Sequence, residues 1–217
     1  ILGLIKIDDG EVFFKNKNIK QIPNSVFRKK IQLIFQDPYS SLNSEMSIGN
    51  SIIEPMISHQ VFNSKNEMKF RALELLNQVG LSESDYNKFP NQFSGGQRQR
   101  IVIARALALN PEIIICDESV SALDVSIQAQ ILNLLSDLKE KYHFTFIFIS
   151  HDISVIKYFT DRLIILKKGE IIELNETDFL FQHPENDYTK SLLKVTLNFA
   201  LLMIESGAII GRILLLI

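Results

Sequence analysis

The chain has very little cysteine: Cys116 is the only one in 217 residues. That excludes an internal disulfide and any metal cluster built from several thiolates. Cys116 lies in an apolar run, so buried packing is its expected job, and a reducing setting fits. Charge of one sign is also missing. Lys and Arg number 23 against 25 Asp and Glu, a net charge of −2, without the basic footprint of a nucleic-acid binder. The clusters Arg28-Lys29-Lys30 and Lys167-Lys168 read as solvated surface. The opening lacks the basic region that precedes the apolar core of a signal peptide. It starts on Ile1 rather than Met, which reads as a start that is not the natural one. Internal repeats and low-complexity stretches are absent. What remains is an ordinary globular composition, 46% hydrophobic and 22% charged, with enough chain for one substantial core and a small subdomain.

One long hydrophobic run stands apart, from Thr196 to Ile217, closing on Ile213-Leu214-Leu215-Leu216-Ile217. Its length would span a bilayer. However, Glu205 lies near its middle and Arg212 follows. Each costs about 2.5–3.5 kcal/mol at a helix centre, against a gain of about 0.3–0.6 for each Leu or Ile. The terms nearly cancel. An apolar tail, or a run produced by a broken reading frame, is therefore expected over a transmembrane helix.

Hydrophobic periodicity organises the rest. Ile31-Gln32-Leu33-Ile34-Phe35 reads as a strand that ends at Gln36-Asp37-Pro38. Helical spacing over 48–58 and 64–79, the second ended by Gly80, makes residues 38–93 a helical insertion. A long helix follows Gly96 and stops before Pro111. Strand 112–116, helix 125–141, strand 144–149, a helix from Asp152 and strand 162–166 then alternate, and Lys168-Gly169 turns into 170–174. That alternation predicts βαβ units and a buried parallel sheet with helices on both faces.

Residues with chemical potential fall at the strand ends. Asp117 and Glu118 close the run Ile113-Ile114-Ile115-Cys116, where open α/β sheets bind ligands. One carboxylate there can hold a cation while its neighbour faces a water, the division that phosphoryl transfer needs. His151 follows the apolar strand 144–150 and is placed to sense a terminal phosphate. Gln36 ends a strand with reach to a cation or the attacking water. Ser94-Gly95-Gly96 opens a helix, where successive amides and the positive helix end form an anion site. Taken singly, each has a plainer reading: a turn, a surface histidine, a turn signal before Asp-Pro, a helix N-cap.

Their order and spacing carry more. Ile34-Phe35-Gln36-Asp37-Pro38-Tyr39-Ser40-Ser41-Leu42-Asn43, Phe93-Ser94-Gly95-Gly96-Gln97-Arg98-Gln99-Arg100, Cys116-Asp117-Glu118 and Val120-Ser121-Ala122-Leu123-Asp124-Val125 through Gln130, with His151 beyond, closely resemble an ABC transporter ATPase. More narrowly, they resemble the oligopeptide/dipeptide importer ATP-binding subunits. His183-Pro184, Tyr188-Thr189 and Leu192-Leu193 resemble that subfamily's closing segment. The resemblance covers about residues 1–195 as a partial ABC ATPase domain, and leaves 196–217 as a tail of unknown role.

The resemblance implies an α/β fold of the P-loop NTPase kind with a helical subdomain at about 38–93, and ATP and Mg²⁺ as cofactors. By the family pattern Asp117 ligands Mg²⁺ and Glu118 is the general base. Gln36 and His151 contact Mg²⁺, water or the γ-phosphate. Ser94, Gly95, Gly96 and Gln97 grip a nucleotide held by a partner's phosphate loop, and Asp124 communicates across the dimer. Implied partners are a second ABC ATPase subunit, identical or not, transmembrane permease subunits touched by Gln36 and the helical insertion, and indirectly a substrate-binding protein. No nucleic acid is implied, and the expected location is the cytoplasmic face of the membrane, held peripherally.

The chain also departs from the family pattern. Gly-x-x-x-x-Gly-Lys-Ser/Thr, the phosphate-cradling loop, is nowhere in it. Ile1-Leu2-Gly3-Leu4-Ile5-Lys6 resembles the helix just downstream of that loop, so an N-terminally truncated domain, inactive alone, is expected. Ser119 stands where the family usually has proline. The expected function is a subunit coupling ATP hydrolysis to import of peptides, with nickel or sugar-derived cargo left open. The alternatives are a DNA-repair or chromosome-type ABC ATPase, disfavoured because no coiled-coil heptads occur, and a non-functional gene fragment.

Overall fold

The computed structural model describes residues 2, 3, 5, 7–194 and 213–216, with the backbone alone at 154 and 213–216. An antiparallel hairpin comes first, β1 (Phe13–Phe14) and β2 (Lys17–Asn18). Lys15 and Asn16 both take positive φ at its tip, the twist that two-residue hairpin turns favour. Next come α1 (Asn24–Lys30), β3 (Ile31–Ile34) and the short α2 (Pro38–Ser41). α3 (Ile48–Ser58), α4 (Lys65–Gln78) and α5 (Gly95–Leu107) follow. The remainder alternates: β4 (Ile113–Asp117), α6 (Val125–Tyr142), β5 (Thr145–Ile149), α7 (Ile153–Phe159), β6 (Arg162–Lys167), β7 (Glu170–Glu176) and α8 (Thr177–Gln182). A further helical segment covers 187–194. β8 (Ile213–Leu216) closes the described chain.

The main sheet runs β3-β4-β5-β8-β6-β7. All neighbours are parallel except the β6–β7 hairpin, whose turn uses Lys168 and Gly169 at positive φ. The helical insertion, α2 to α4, lies between β3 and α5, within the expected stretch 38–93. Pro38 ends the strand region as expected, and does so by opening α2, with the Asp37 carboxylate capping it through the Tyr39 and Ser40 amides.

Strand alternation divides the core in two. Ile114, Cys116, Phe146 and Phe148 point to one face and join α3 to α7 in one large cluster. Ile113, Ile115, Ile147 and Ile149 point to the other, around Phe27 and Ile31. The two faces are therefore covered unequally. The second is sheltered by α1 and by Phe14, Ile19 and Ile22 from the hairpin region, a lighter cover than the expected helices on both faces. The sequence-level expectation of a helix at Ile1–Lys6 is not met at the described positions: Leu2, Gly3, Ile5 and Ile7 are non-helical, with Gly3 at φ +69. A left-handed residue does not continue a right-handed helix. Of the apolar tail, 196–212 and Ile217 lie outside the described residues, as does residue 195 before it. The four that are described form a strand, and among the described residues no helix is long and apolar enough to cross a membrane.

Candidate active site at the carboxyl ends of β4 and β5

Asp117 ends β4 half-buried, and the chain leaves the strand through Glu118 at φ +47. A left-handed conformation is strained for a non-glycine residue. Here it is held by hydrogen bonds on both sides. The Glu118 amide donates to the Ile149 carbonyl at 2.9 Å, and the Glu118 carbonyl accepts from the Ser121 amide at 3.0 Å and hydroxyl at 2.9 Å. The turn swings the Glu118 carboxylate across to the end of β5, where its Oε1 lies 3.0 Å from His151 Nδ1. Both side chains remain open to solvent, His151 at 68% and Glu118 at 30% exposure, so a substrate can reach them.

Gln36 follows β3 and meets the same turn, its amide nitrogen 3.4 Å from Ser121 Oγ. Residues expected from the sequence thus converge: Gln36, Asp117, Glu118 and His151 stand at the ends of three adjacent parallel strands. Ser121, which no sequence signal singled out for a contact, joins Gln36 to the Glu118 turn. Ser119 is buried in this turn, its hydroxyl without a hydrogen-bond partner. Cys116, not far before, is fully buried, and burial pushes its thiol up to about 12.

Ser94-Gly95-Gly96-Gln97 opens α5. It forms a capping box: Ser94 Oγ accepts from the Gln97 amide at 3.3 Å, and Gln97 Oε1 accepts from the Ser94 amide at 3.0 Å. The plain N-cap reading is thus realised. Gly95 approaches Leu123, and a Cβ on Gly96 would stand 2.5 Å from Ile127 Cγ2. The glycines therefore let the start of α5 press on the Leu123–Ile127 segment, a packing role that sequence reasoning missed. Asp124 is the N-cap residue of α6 and makes no side-chain capping bond. Another missed contact ties the two regions. The Arg98 guanidinium lies 3.7 Å above the Tyr39 ring and donates from Nε to the Pro90 carbonyl at 2.7 Å, which anchors the loop after Gln36 to α5.

Among the described residues no group of three or more His, Cys, Asp or Glu could hold a metal ion. The donor set suits a cation delivered on a phosphate ligand, with the Asp117 carboxylate and the Gln36 amide oxygen as its protein-side oxygens.

A parallel α/β sheet with a carboxylate–imidazole pair at adjacent strand ends, and a glycine-opened helix following an inserted helical unit, defines the class of nucleotide-binding cassettes. Solved structures agree. The ATP-binding cassette MJ0796, in a dimeric post-hydrolysis state bound to ADP and Pi, superposes with a TM-score of 0.69 at 35% identity, over 80% of this chain and 76% of that one. The cbiO1 protein of Clostridium perfringens, part of the ABC transporter complex cbiONQ, gives 0.75 at 25% identity, over 93% and 79%. The ABC transporter family model matches residues 1–121, and the chain belongs to that family. The oligopeptide transport ATP-binding protein OppF of Bacillus subtilis is 46% identical over 89% of this chain. The dipeptide transport ATP-binding protein DppF of Lactococcus lactis is 43% identical over 86%. The chain spans 65% and 61% of the length of these two relatives.

Proposed function

We propose that this chain is an ATPase-type subunit that couples ATP hydrolysis to import of peptides or related small solutes, working in a dimer of such subunits beneath membrane permease subunits. The observation that carries the reading is the Glu118–His151 pair at 3.0 Å, at the carboxyl ends of two strands that pair in parallel. Mg-ATP would be met by Asp117 and Gln36 at its cation and by Ser94–Gln97 from the opposite subunit. The nucleotide supplies the phosphoryl group, and the ion neutralises its charge. The Glu118 carboxylate takes a proton from the attacking water. His151 donates from Nδ1 to that carboxylate and holds it in place, and in its doubly protonated form would also donate from Nε2 to the terminal phosphate.

Two further features support the partners. An open cleft of about 740 Å³ lies between β3, α2, α3 and α5, lined by Arg28, Phe35, Glu54 and Arg105 among others. Arg105 ties it together, donating to the Ser41 carbonyl and to Glu54, each at 2.9 Å. Both signs of charge and the half-exposed Phe35 suit a short helix of a permease subunit, docked beside Gln36 at the cytoplasmic membrane face. The names of the relatives support the peptide cargo.

The test joins the part of the Bacillus subtilis relative that lies outside the match to this chain. The chimera should release phosphate in a magnesium-dependent way, and Glu118→Gln should lower the rate by about 10²–10⁴-fold while nucleotide binding persists. A Glu118→Gln chimera that keeps most of the rate would reject the assigned base. The 217 residues alone, without a phosphate loop, should bind Mg-ATP no tighter than about millimolar by calorimetry.

A further inference from the structure

Three hydrogen bonds hold the turn that carries Glu118. Its amide donates to the Ile149 carbonyl at 2.9 Å, and its carbonyl accepts from the Ser121 amide at 3.0 Å and hydroxyl at 2.9 Å. Two features of the same turn oppose them. Glu118 sits at φ +47, which strains a residue with a Cβ. Ser119 is 1% exposed, and its hydroxyl makes no hydrogen bond. The Cys116 thiol stands beside that hydroxyl, and a thiol is a weak partner. A hydroxyl buried in this way keeps the full cost of leaving water. Both costs fall on the closed turn alone, the form in which Glu118 Oε1 lies 3.0 Å from His151 Nδ1. When the turn opens, Glu118 relaxes to an ordinary backbone conformation and the Ser119 hydroxyl meets water. The two costs are then released together, against the loss of the three hydrogen bonds. Val120, 2% exposed, anchors the turn in the main core, while Ala122 and Asp124 beyond it are exposed, so such an opening is local.

We propose that Ser119 is a positioning residue for the Glu118 carboxylate: its buried, unpartnered hydroxyl holds the 118–121 turn near balance between the closed form, with Glu118 on His151, and an open form in which the carboxylate swings free. The consequence for catalysis rests on the reading of Glu118 as the base, whereas the balance is a property of the turn. Removing the hydroxyl takes its cost from the closed form and leaves the open form unchanged, so alanine at 119 shifts the balance to closed. Ser121 acts in the opposite sense, because its hydroxyl bonds the Glu118 carbonyl in the closed form. Two serines of one turn therefore bear on the same carboxylate with opposite sign. A nucleotide whose attacking water engages Glu118 selects the closed form. Ser119 then sets how much of that selection the ligand must supply.

The test uses the full 217-residue chain without nucleotide, so a negative result leaves the Glu118→Gln test of the base untouched. Amide exchange is followed at Glu118 and Ser121, with α5 and α6 as the internal reference. Nitrogen-15 shifts of the His151 imidazole at about pH 9, where an ordinary imidazole is neutral, report the share of the tautomer protonated at Nδ1 that Glu118 favours. Ser119→Ala should slow exchange at Glu118 and Ser121 by about fivefold or more. It should leave α5 and α6 unchanged and raise the share protonated at Nδ1. Ser121→Ala should do the reverse. Faster exchange in Ser119→Ala would show that the hydroxyl is satisfied in solution, and unchanged exchange that it carries no weight; either overturns the proposal. Slowing spread equally over α5 and α6, with His151 unmoved, would be general stabilisation and would reject the positioning role.

Discussion

Gly95 and Gly96 stand side by side in a motif whose glycines were read as anion-binding amides, and the two have different reasons for being glycine. A Cβ at Gly95 would meet Leu123 at 3.7 Å, an ordinary contact, whereas one at Gly96 would meet Ile127 Cγ2 at 2.5 Å. Ile127 is β-branched and stiff at χ1, so its methyl cannot swing aside. Gly96→Ala should therefore cost about 1–3 kcal/mol in a denaturant titration, and Gly95→Ala should be neutral or slightly stabilising, since alanine favours the helix. Equal effects would remove the packing explanation. Cys116 gives a second residue-scale prediction. With its thiol pushed up to about 12 by burial, about one molecule in ten thousand carries a thiolate at pH 8. Labelling by a thiol reagent should follow global unfolding, so conditions that leave the fold intact should leave Cys116 unmodified. The types of residue at the site were legible in sequence because strand ends announce themselves by an apolar run breaking into Asp-Glu or Ser-His. The bend that brings Glu118 onto His151 was not legible, since a positive φ at a glutamate is imposed by tertiary hydrogen bonds and has no local signature.

Among the elements, βαβ alternation was readable because β4, β5 and β6 are mostly Ile, Leu and Phe, and α4, α5 and α6 are followed by Gly80, by Pro111 and by a left-handed residue. His143, for instance, closes α6 at φ +55. The hairpin β1–β2 and α1 escaped that reading. Two-residue strands carry no period, and α1 buries only Phe27. What fixes these small elements is partly electrostatic. Glu112, just before β4, pairs with Lys15 at the hairpin tip and with Lys30 at the end of α1. The two ammonium groups, Lys15 first, hold its carboxyl below the ordinary range. A lowered folded pKa means that the native state binds fewer protons. The pairing therefore stabilises above the unfolded value of about 4.3 and is lost as pH falls through the folded one. Glu112→Gln should cost about 0.5–1 kcal/mol at pH 7, scaled for its partial exposure, with the difference vanishing at acid pH. A difference that persists below pH 3 would trace the effect to packing.

For the whole molecule, the proposed function rests on two half-sites. Gln36, Asp117, Glu118 and His151 gather at the sheet's carboxyl end, while Ser94–Gln97 caps α5 against Leu123 and Ile127. In the proposed function the signature serves a neighbour's nucleotide, while the carboxylate–imidazole pair serves the nucleotide of its own chain. The prediction uses asymmetry. The full-length Bacillus subtilis relative, 46% identical over the shared region, would be mixed with this chain and Mg-ATP. This chain should complete one of the pair's two sites by supplying Ser94 and the positive end of α5. ATP-dependent heterodimer should then appear in size-exclusion chromatography. Ser94→Arg should abolish it, because the side chain would fill the position of the γ-phosphate. Glu118→Gln in this chain should leave it intact, because that carboxylate belongs to the other site. Loss of dimer in both variants would point to a folding defect, and persistence in both would reject a signature acting in trans. Loss in Ser94→Arg alone is the result that a signature acting in trans requires.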